Sequence, residues 1–459
     1  MTGPAALFAL AALAVALALQ ISSGTYDERA LALVTLATIA ALIGVVWRKR
    51  TAALENPVAA QAVLGAGCAA GLACHLFTTP TYYADPRAFQ GGFRWFALIS
   101  LVVLSAYLCI HLRASLVRAR FLLLLLCFLL LGIVVLRASP RPWIDVWVFQ
   151  QGGADALLHG ANPYSASYPD IYGPNALAPY APELLQGQRV AAFPYPPLTL
   201  LAGVPAFAAF GDVRYALLAL TVAAAWLIAR AAPGNTGELA AALVLFQPRT
   251  MFVLEQAWTE PLVLFCFALT VYAIARGAHW ALVGAALGLL VASKQYSLFL
   301  VVPLAFAMPR RRSLWVAAAV LLALLVPFAL PDPAGFWRGL VRFHFVQGFR
   351  ADSLSLTALG VRLAGPSVQA IALAGVVLGA AVLAFCARRR LELPLACAAA
   401  AAAWAGVLIW NKQSFCNYWW LCSALLALAA ASPSGRNAAA PFSLATAVPA
   451  GYTPPPAGA

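Results

Sequence analysis

The chain has 459 residues, of which 63% are hydrophobic and only 10% charged, a balance outside that of soluble domains. Its net charge of +14 does not mark a nucleic-acid binder, because Lys and Arg gather in short clusters between apolar stretches. There is no Gly-rich loop with a phosphate-binding Lys, no dinucleotide fingerprint and no large soluble stretch, which argues against a nucleotide-binding site.

In chain order, segments apolar enough to cross a hydrocarbon core of roughly 30 Å fall near 4–21, 30–47, 58–77, 95–112, 121–136, 197–210, 214–230, 238–253, 258–275, 280–305, 313–330, 367–386, 393–410 and 415–431. This predicts an all-α polytopic membrane protein with about 12–14 transmembrane helices. The first segment lacks a basic leader and reads as a span, not a signal peptide. Basic clusters at Arg48-Lys49-Arg50, at Arg113, Arg118 and Arg120, at Arg310-Arg311-Arg312 and at Arg388-Arg389-Arg390 mark cytoplasmic loops. Both termini then lie inside, while 137–197, 331–365 and the segment around Asn411–Phe415 lie outside. On the same count the polar group Gln247, Arg249, Glu255, Gln256 and Glu260 falls inside, and it lines a cavity only if its flanking spans are half-helices. The nine cysteines sit mostly within spans, without metal-ligand spacing, and read as small buried hydrophobes. From 432 to 459 the composition predicts a disordered tail. No internal repeat is evident, which counts against an inverted-repeat transporter.

The loop from Arg137 to Pro197 is far longer than a connector needs, and it carries Asp145, Asp155, His159, Asp170, Glu183 and Arg189 among many aromatics. Ser139 as a cap, Pro140 and Pro142 in the first turn and a stop at Gly160 predict an interfacial helix over 139–160. Trp143 and Trp147, four apart, would share one face of it. Asp145 then either complements the helix dipole or stands as a carboxylate at the rim of a membrane cavity. The Phe193–Pro197 run stiffens the approach to the next span, and its aromatics suit the headgroup layer.

Polar groups elsewhere converge on the same predicted side. Lys294 and Gln295 interrupt an apolar span, where an ionisable residue defaults to a functional candidate and a lipid phosphate is a natural partner. His344, Arg350 and Asp352 occupy the second outer loop, with Arg342 and Gln347 beside them. Lys412, Gln413 and Asn417 sit at the outer mouth of a later span. The alternative for each is plain: snorkelling for the lysine and a solvated face for the loop residues.

Three motifs, Asp145-Val-Trp-Val-Phe149, Gly160-Ala-Asn-Pro-Tyr164 and Phe193-Pro-Tyr-Pro-Pro197, resemble the first outer loop of the GT-C glycosyltransferases. The closest resemblance is to glycosyltransferase family 87, which includes polyprenyl-phosphate-mannose-dependent mannosyltransferases. The resemblance spans 121–431 as a GT-C-like core, and it implies that the catalytic base falls on Asp145, with Asp155 and Asp170 in reserve. It also implies a polyprenyl-phosphate-sugar donor, a lipid or glycan acceptor, and a bacterial inner or plasma membrane with the site facing outward. Family members place this loop after their first span, whereas here four spans precede 121–136, so 1–120 reads as an N-terminal extension.

Such a transferase needs one carboxylate to deprotonate the acceptor hydroxyl and cations to hold the departing phosphate. The candidates are Asp145 as base, with Lys294, Gln295, His344, Arg350, Asp352, Lys412, Gln413 and Asn417 around the donor, and Tyr164 and Tyr195 as packing surfaces for sugar or prenyl chain. Asp145 and Asp155 are about 15 Å apart along a continuous helix, too far for a two-carboxylate hydrolase. The five histidines are scattered, and no cofactor or metal is expected. The competing readings are a transporter or lipid flippase, and a ligase or polymerase moving whole glycans.

Overall fold

The protein is described by a computed structural model covering residues 4–51, 57–108, 113–174, 180–232, 234–308, 310–388 and 391–432. Of the expected tail over 432–459, the part from 433 onward lies outside the described residues, as do His111 and Arg389-Arg390. Among the described residues, seven helices are long and apolar enough to cross a membrane, and the other apolar helices have 10–17 residues. The protein is an all-α polytopic membrane protein by this measure.

Two ends of the bundle can be told apart, one holding Asp145 and the other, the arginine end, holding Arg120 and Arg310–Arg312. Helix α1 (Pro4–Ser22) reaches the Asp145 end, where Thr25 bridges to Ser353 and the Tyr26 N–H donates to the Asp352 carbonyl. Helices α2 (Glu28–Thr51) and α3 (Pro57–Phe77) return to the arginine end and back. There the Gln61 amide donates to Thr236 at 2.8 Å. Helix α4 (Gly92–Ser105) descends again, and α5 (Ala114–Ala138) rises from Arg120, which meets Asn235 and Glu238, to Ser139.

Helix α6 covers Asp145–Leu158, not 139–160. Ser139 instead closes α5, its N–H donating to the Val135 carbonyl. Prolines 140 and 142 then bar Ser139 and Arg141 from helical geometry, so the next helix cannot start until after them. Gly160 ends the segment at φ +73°, as its sequence position predicts. Trp143 consequently lies off the helix, exposed and edge-on to Tyr172, and shares no face with Trp147. The rest of the loop builds its own small core from Phe149, Tyr164, Tyr168, Tyr180, Phe193 and Phe343. A three-stranded antiparallel sheet pins it, with β1 (Tyr168–Pro169) and β2 (Leu185–Gln186) on either side of β3 (Arg189–Val190).

Two spans expected from hydropathy are not single crossings. Helix α7 (Pro197–Phe210) is about 21 Å long, short of a 30 Å core. Both its ends are held from α6: Gln150 donates to Thr199, and Gln151 donates to the Gly211 carbonyl. Helix α8 (Arg214–Ala231) starts at the same end, since Arg214 donates to the Ser139 and Glu255 carbonyls. Helix α7 therefore enters and leaves on one side.

Helix α9 (Asn235–Phe246) climbs back, and a break before Pro248 leads into short α10 (Thr250–Glu255). Helix α11 (Glu260–Ala275) descends from there. The expected span 280–305 is two helices in opposite directions, α12 (Trp280–Ser293) and α13 (Leu298–Ala307), with Lys294 in extended backbone between them. Helix α14 (Ser313–Ala329) runs parallel to α12, and Arg312 stacks on Trp280 at 4.2 Å where both begin. Gly284 and Gly288 make that packing close, because a Cβ on either would sit 2.4 or 2.7 Å from the Ser313 or Ala317 carbonyl oxygen.

The two departures cancel in parity, which keeps Arg310–Arg312 at the arginine end. Between them, however, every crossing is reversed. The segment Gln247–Glu260, expected inside, lies at the Asp145 end.

The chain continues through α15 (Pro333–Trp337), a π-turn over Arg338–Arg342, α16 (Phe343–Val346) and α17 (Leu356–Ala364). Helices α18 (Leu373–Ala387), α19 (Leu393–Leu408) and α20 (Cys416–Ala431) complete the bundle. The alanines of α19 and the body of α20 are buried throughout, and one continuous core takes in α1 to α5 as well. Ser423 of α20 donates to the Ala12 carbonyl of α1. The 1–120 segment is thus packed into the bundle, not laid beside it.

Candidate functional site

At the Asp145 end the loops enclose a cleft of about 420 Å³. Asp145, Lys294, His344, Arg350, Asp352, Gln413, Asn417 and Tyr195 all line it, together with Tyr172, Tyr180 and Trp258. Three of the expected residues stand elsewhere. Tyr164 is fully buried in the loop's own core, its hydroxyl donating to the Tyr195 carbonyl at 2.6 Å. Gln295 does not line the cleft but supports it, its amide nitrogen reaching the Pro194 and Leu340 carbonyls and the His344 Nε2 at 2.9 Å. Lys412 donates to the His344 and Gln347 carbonyls and holds the segment that follows α16 in place. Of the reserve carboxylates, Asp155 is exposed beside His159, and Asp170 caps the turn at Tyr172 and Gly173.

Asp145 is the first residue of α6, so its carboxylate lies at the positive end of that helix and accepts the Val146 N–H. Tyr180 donates to Oδ2 at 2.7 Å, the Val146 N–H to Oδ1 at 2.7 Å, and Tyr172 lies 3.5 Å from Oδ1. Burial raises the Asp145 pKa above the usual carboxylate range, opposed by those three donors and by the charge of Arg350. The result is a carboxylate of raised basicity, fixed in direction, with lone pairs to spare. Burial and the neighbouring Asp145 charge push the Tyr180 hydroxyl upward, so it stays a donor.

Basic side chains share the cleft with this carboxylate. Arg350 pairs with Asp352 through two hydrogen bonds, at 2.8 and 2.6 Å, and stacks over Phe415 at 4.8 Å. That pairing raises Arg350; for Asp352 burial works upward, but the Arg350 hydrogen bond and charge prevail and hold it low. His344 Nε2 sits 2.9 Å from the Pro194 carbonyl, and burial with the Lys294 and Lys412 charges lowers the imidazole to about 4 against that hydrogen bond.

Lys294 has its ammonium 3.2 Å from Glu260 and 2.6 Å from the Thr259 hydroxyl, with the Tyr195 ring 5.0 Å away. Tyr296 donates to the same Glu260 oxygen, while Glu260 Oε2 has no partner.

Several of these groups were not singled out by sequence. Tyr172 and Tyr180 carry only a general aromatic signal in the sequence, and the hydropathy topology puts Glu260 on the other side. Among the described residues no three His, Cys, Asp or Glu side chains are grouped as a metal would need. Compared with family models, curated proteins and solved structures, the chain matches none.

Proposed function

We propose that the protein is an inverting, integral-membrane glycosyltransferase that moves one hexose, mannose-like, from a polyprenyl-phosphate carrier to a lipid-linked or glycan acceptor. The observation that carries this reading is Asp145: a carboxylate of raised basicity, held by two tyrosines in a cleft that also contains Arg350 and Lys294, whereas the cleft's other carboxylate, Asp352, is paired with Arg350. The cleft opens at one end of an apolar bundle, where a lipid phosphate can be offered without leaving the membrane. Asp145 takes the proton from the acceptor hydroxyl as its oxygen bonds to the anomeric carbon. The bond from that carbon to the phosphate oxygen breaks, and the lipid phosphate leaves with its charge held by Arg350 and Lys294. The GT-C-like loop motifs and the basic loops at the far end support an outward-facing site.

The test is reconstitution in nanodiscs with polyprenyl-phosphate hexoses and a total membrane-lipid acceptor fraction. The reading expects products heavier by one hexose; absence of any such product with mannose, glucose and galactose donors contradicts it. A second reading, a lipid transporter, is favoured by the broken pair α12 and α13 with the buried Lys294–Glu260 pair at the break. It predicts donor movement across proteoliposome bilayers without a new glycosidic bond.

A further inference from the structure

We infer that Tyr82 is the stacking platform for a pyranose ring, and that the N-terminal helices supply this wall of the cleft. The proposal rests on the transferase reading and names a binding subsite within it.

Tyr82 lies in the connection between α3 and α4, outside the segment to which the loop motifs belong, yet it lines the same cleft as Asp145. It is 61% exposed, an unusual position for a ring that is also held in place. Its placement is enforced from beneath. The fully buried Glu255 carboxylate accepts the backbone N–H groups of Tyr82, Tyr83 and Ala84 at 2.8, 2.9 and 2.8 Å. The Tyr82 ring meets Phe252 edge-on at 4.7 Å, and Phe252 meets Trp258, also a cleft residue, at 5.1 Å. The buried Glu255 carboxylate and a row of aromatics thus fix a largely exposed Tyr82 ring in the wall of the cleft.

Ser23, Thr25 and Asp352, which also line the cleft, offer hydroxyl and carboxylate partners to a hydroxyl-rich ligand; a hydrocarbon chain would use none of them. An apolar ring face with polar groups around it is the pattern a pyranose presents in reverse.

The experiment places the full chain in nanodiscs and measures saturation transfer to the ring protons of mannobiose. Wild type and Tyr82→Phe should give comparable signals, and Tyr82→Ala should lose about five- to tenfold, the scale of one lost aromatic contact. Equal signals from wild type and Tyr82→Ala, or none from wild type, would overturn the platform. In steady-state transfer, Tyr82→Ala that raises the acceptor KM alone assigns the ring to the acceptor, and a rise in the donor KM alone assigns it to the donor. Neither rising counts against the platform while leaving the transferase reading intact. Loss of signal in Tyr82→Ala with no transfer by any form supports the platform and refutes the transferase reading.

Discussion

Replacing Glu260 with leucine isolates the Lys294 ammonium, whose side chain is only 7% exposed beside a fully buried partner. At their 3.2 Å separation, an effective dielectric near 20 gives an attraction of about 5 kcal/mol. Removing one partner of a buried pair costs about 3–5 kcal/mol, because the other charge keeps its desolvation penalty without compensation. The Tyr296 hydroxyl loses its acceptor as well, adding about 1 kcal/mol. The double variant Glu260→Leu/Lys294→Met leaves no orphaned charge and should recover most of this, to within about 2 kcal/mol of wild type. Equilibrium unfolding in mixed micelles titrated with SDS reads all four members of the cycle. A Glu260→Leu protein as stable as wild type, or a double variant as unstable as the sum of the singles, would refute the reasoning.

Glu255→Ala strips three backbone donors of a charged acceptor, so the 78–91 connection should exchange its amide hydrogens at least tenfold faster, measured by hydrogen-exchange mass spectrometry. Tyr180→Phe removes a hydrogen bond that lowers the Asp145 pKa; the carboxylate then ionises only at higher pH, and the acidic limb of the kcat/KM profile should move upward. Cysteines placed at Phe210 and Asp155 should react with a membrane-impermeant maleimide from one side, and a cysteine at His279 from the other. The hydropathy topology expects Phe210 and Asp155 on opposite sides.

The helical, membrane-spanning character and the importance of the 137–197 loop were legible because both rest on local composition. Asp145, His344 and Arg350 could be gathered on one side because the parity of crossings before 137 and after 310 matches that of the structure, and Lys294 joined them only as an ionisable residue in mid-span. Between those points the parity does not match. Hydropathy scores Pro197–Phe210 as a span although its length falls short of the hydrocarbon core, and it joins two antiparallel helices across Lys294 because one charged residue barely lowers a window average. Those two errors hid Glu255 and Glu260, whose roles depend on which end of the bundle they reach. Tyr164 and Gln295 went to packing and backbone contacts for a different reason. A side chain beside a motif is as often part of the support as of the cleft, and only tertiary contacts separate the two.

The central claim is that Asp145 is the base. Asp145→Asn keeps the size and shape of the side chain. Because burial raises the native carboxyl above its unfolded value, the stability Asp145 contributes is full below the unfolded pKa and is lost as pH rises through the folded one. At pH 7 the neutral asparagine should therefore fold at least as well as wild type. The most direct measurement is kcat for hexose transfer from a polyprenyl-phosphate donor by this variant in nanodiscs, with monodispersity and unfolding midpoint as controls. A fall of about 10²–10⁴-fold in a protein of undiminished stability is the expected result, and turnover near that of wild type would contradict the account.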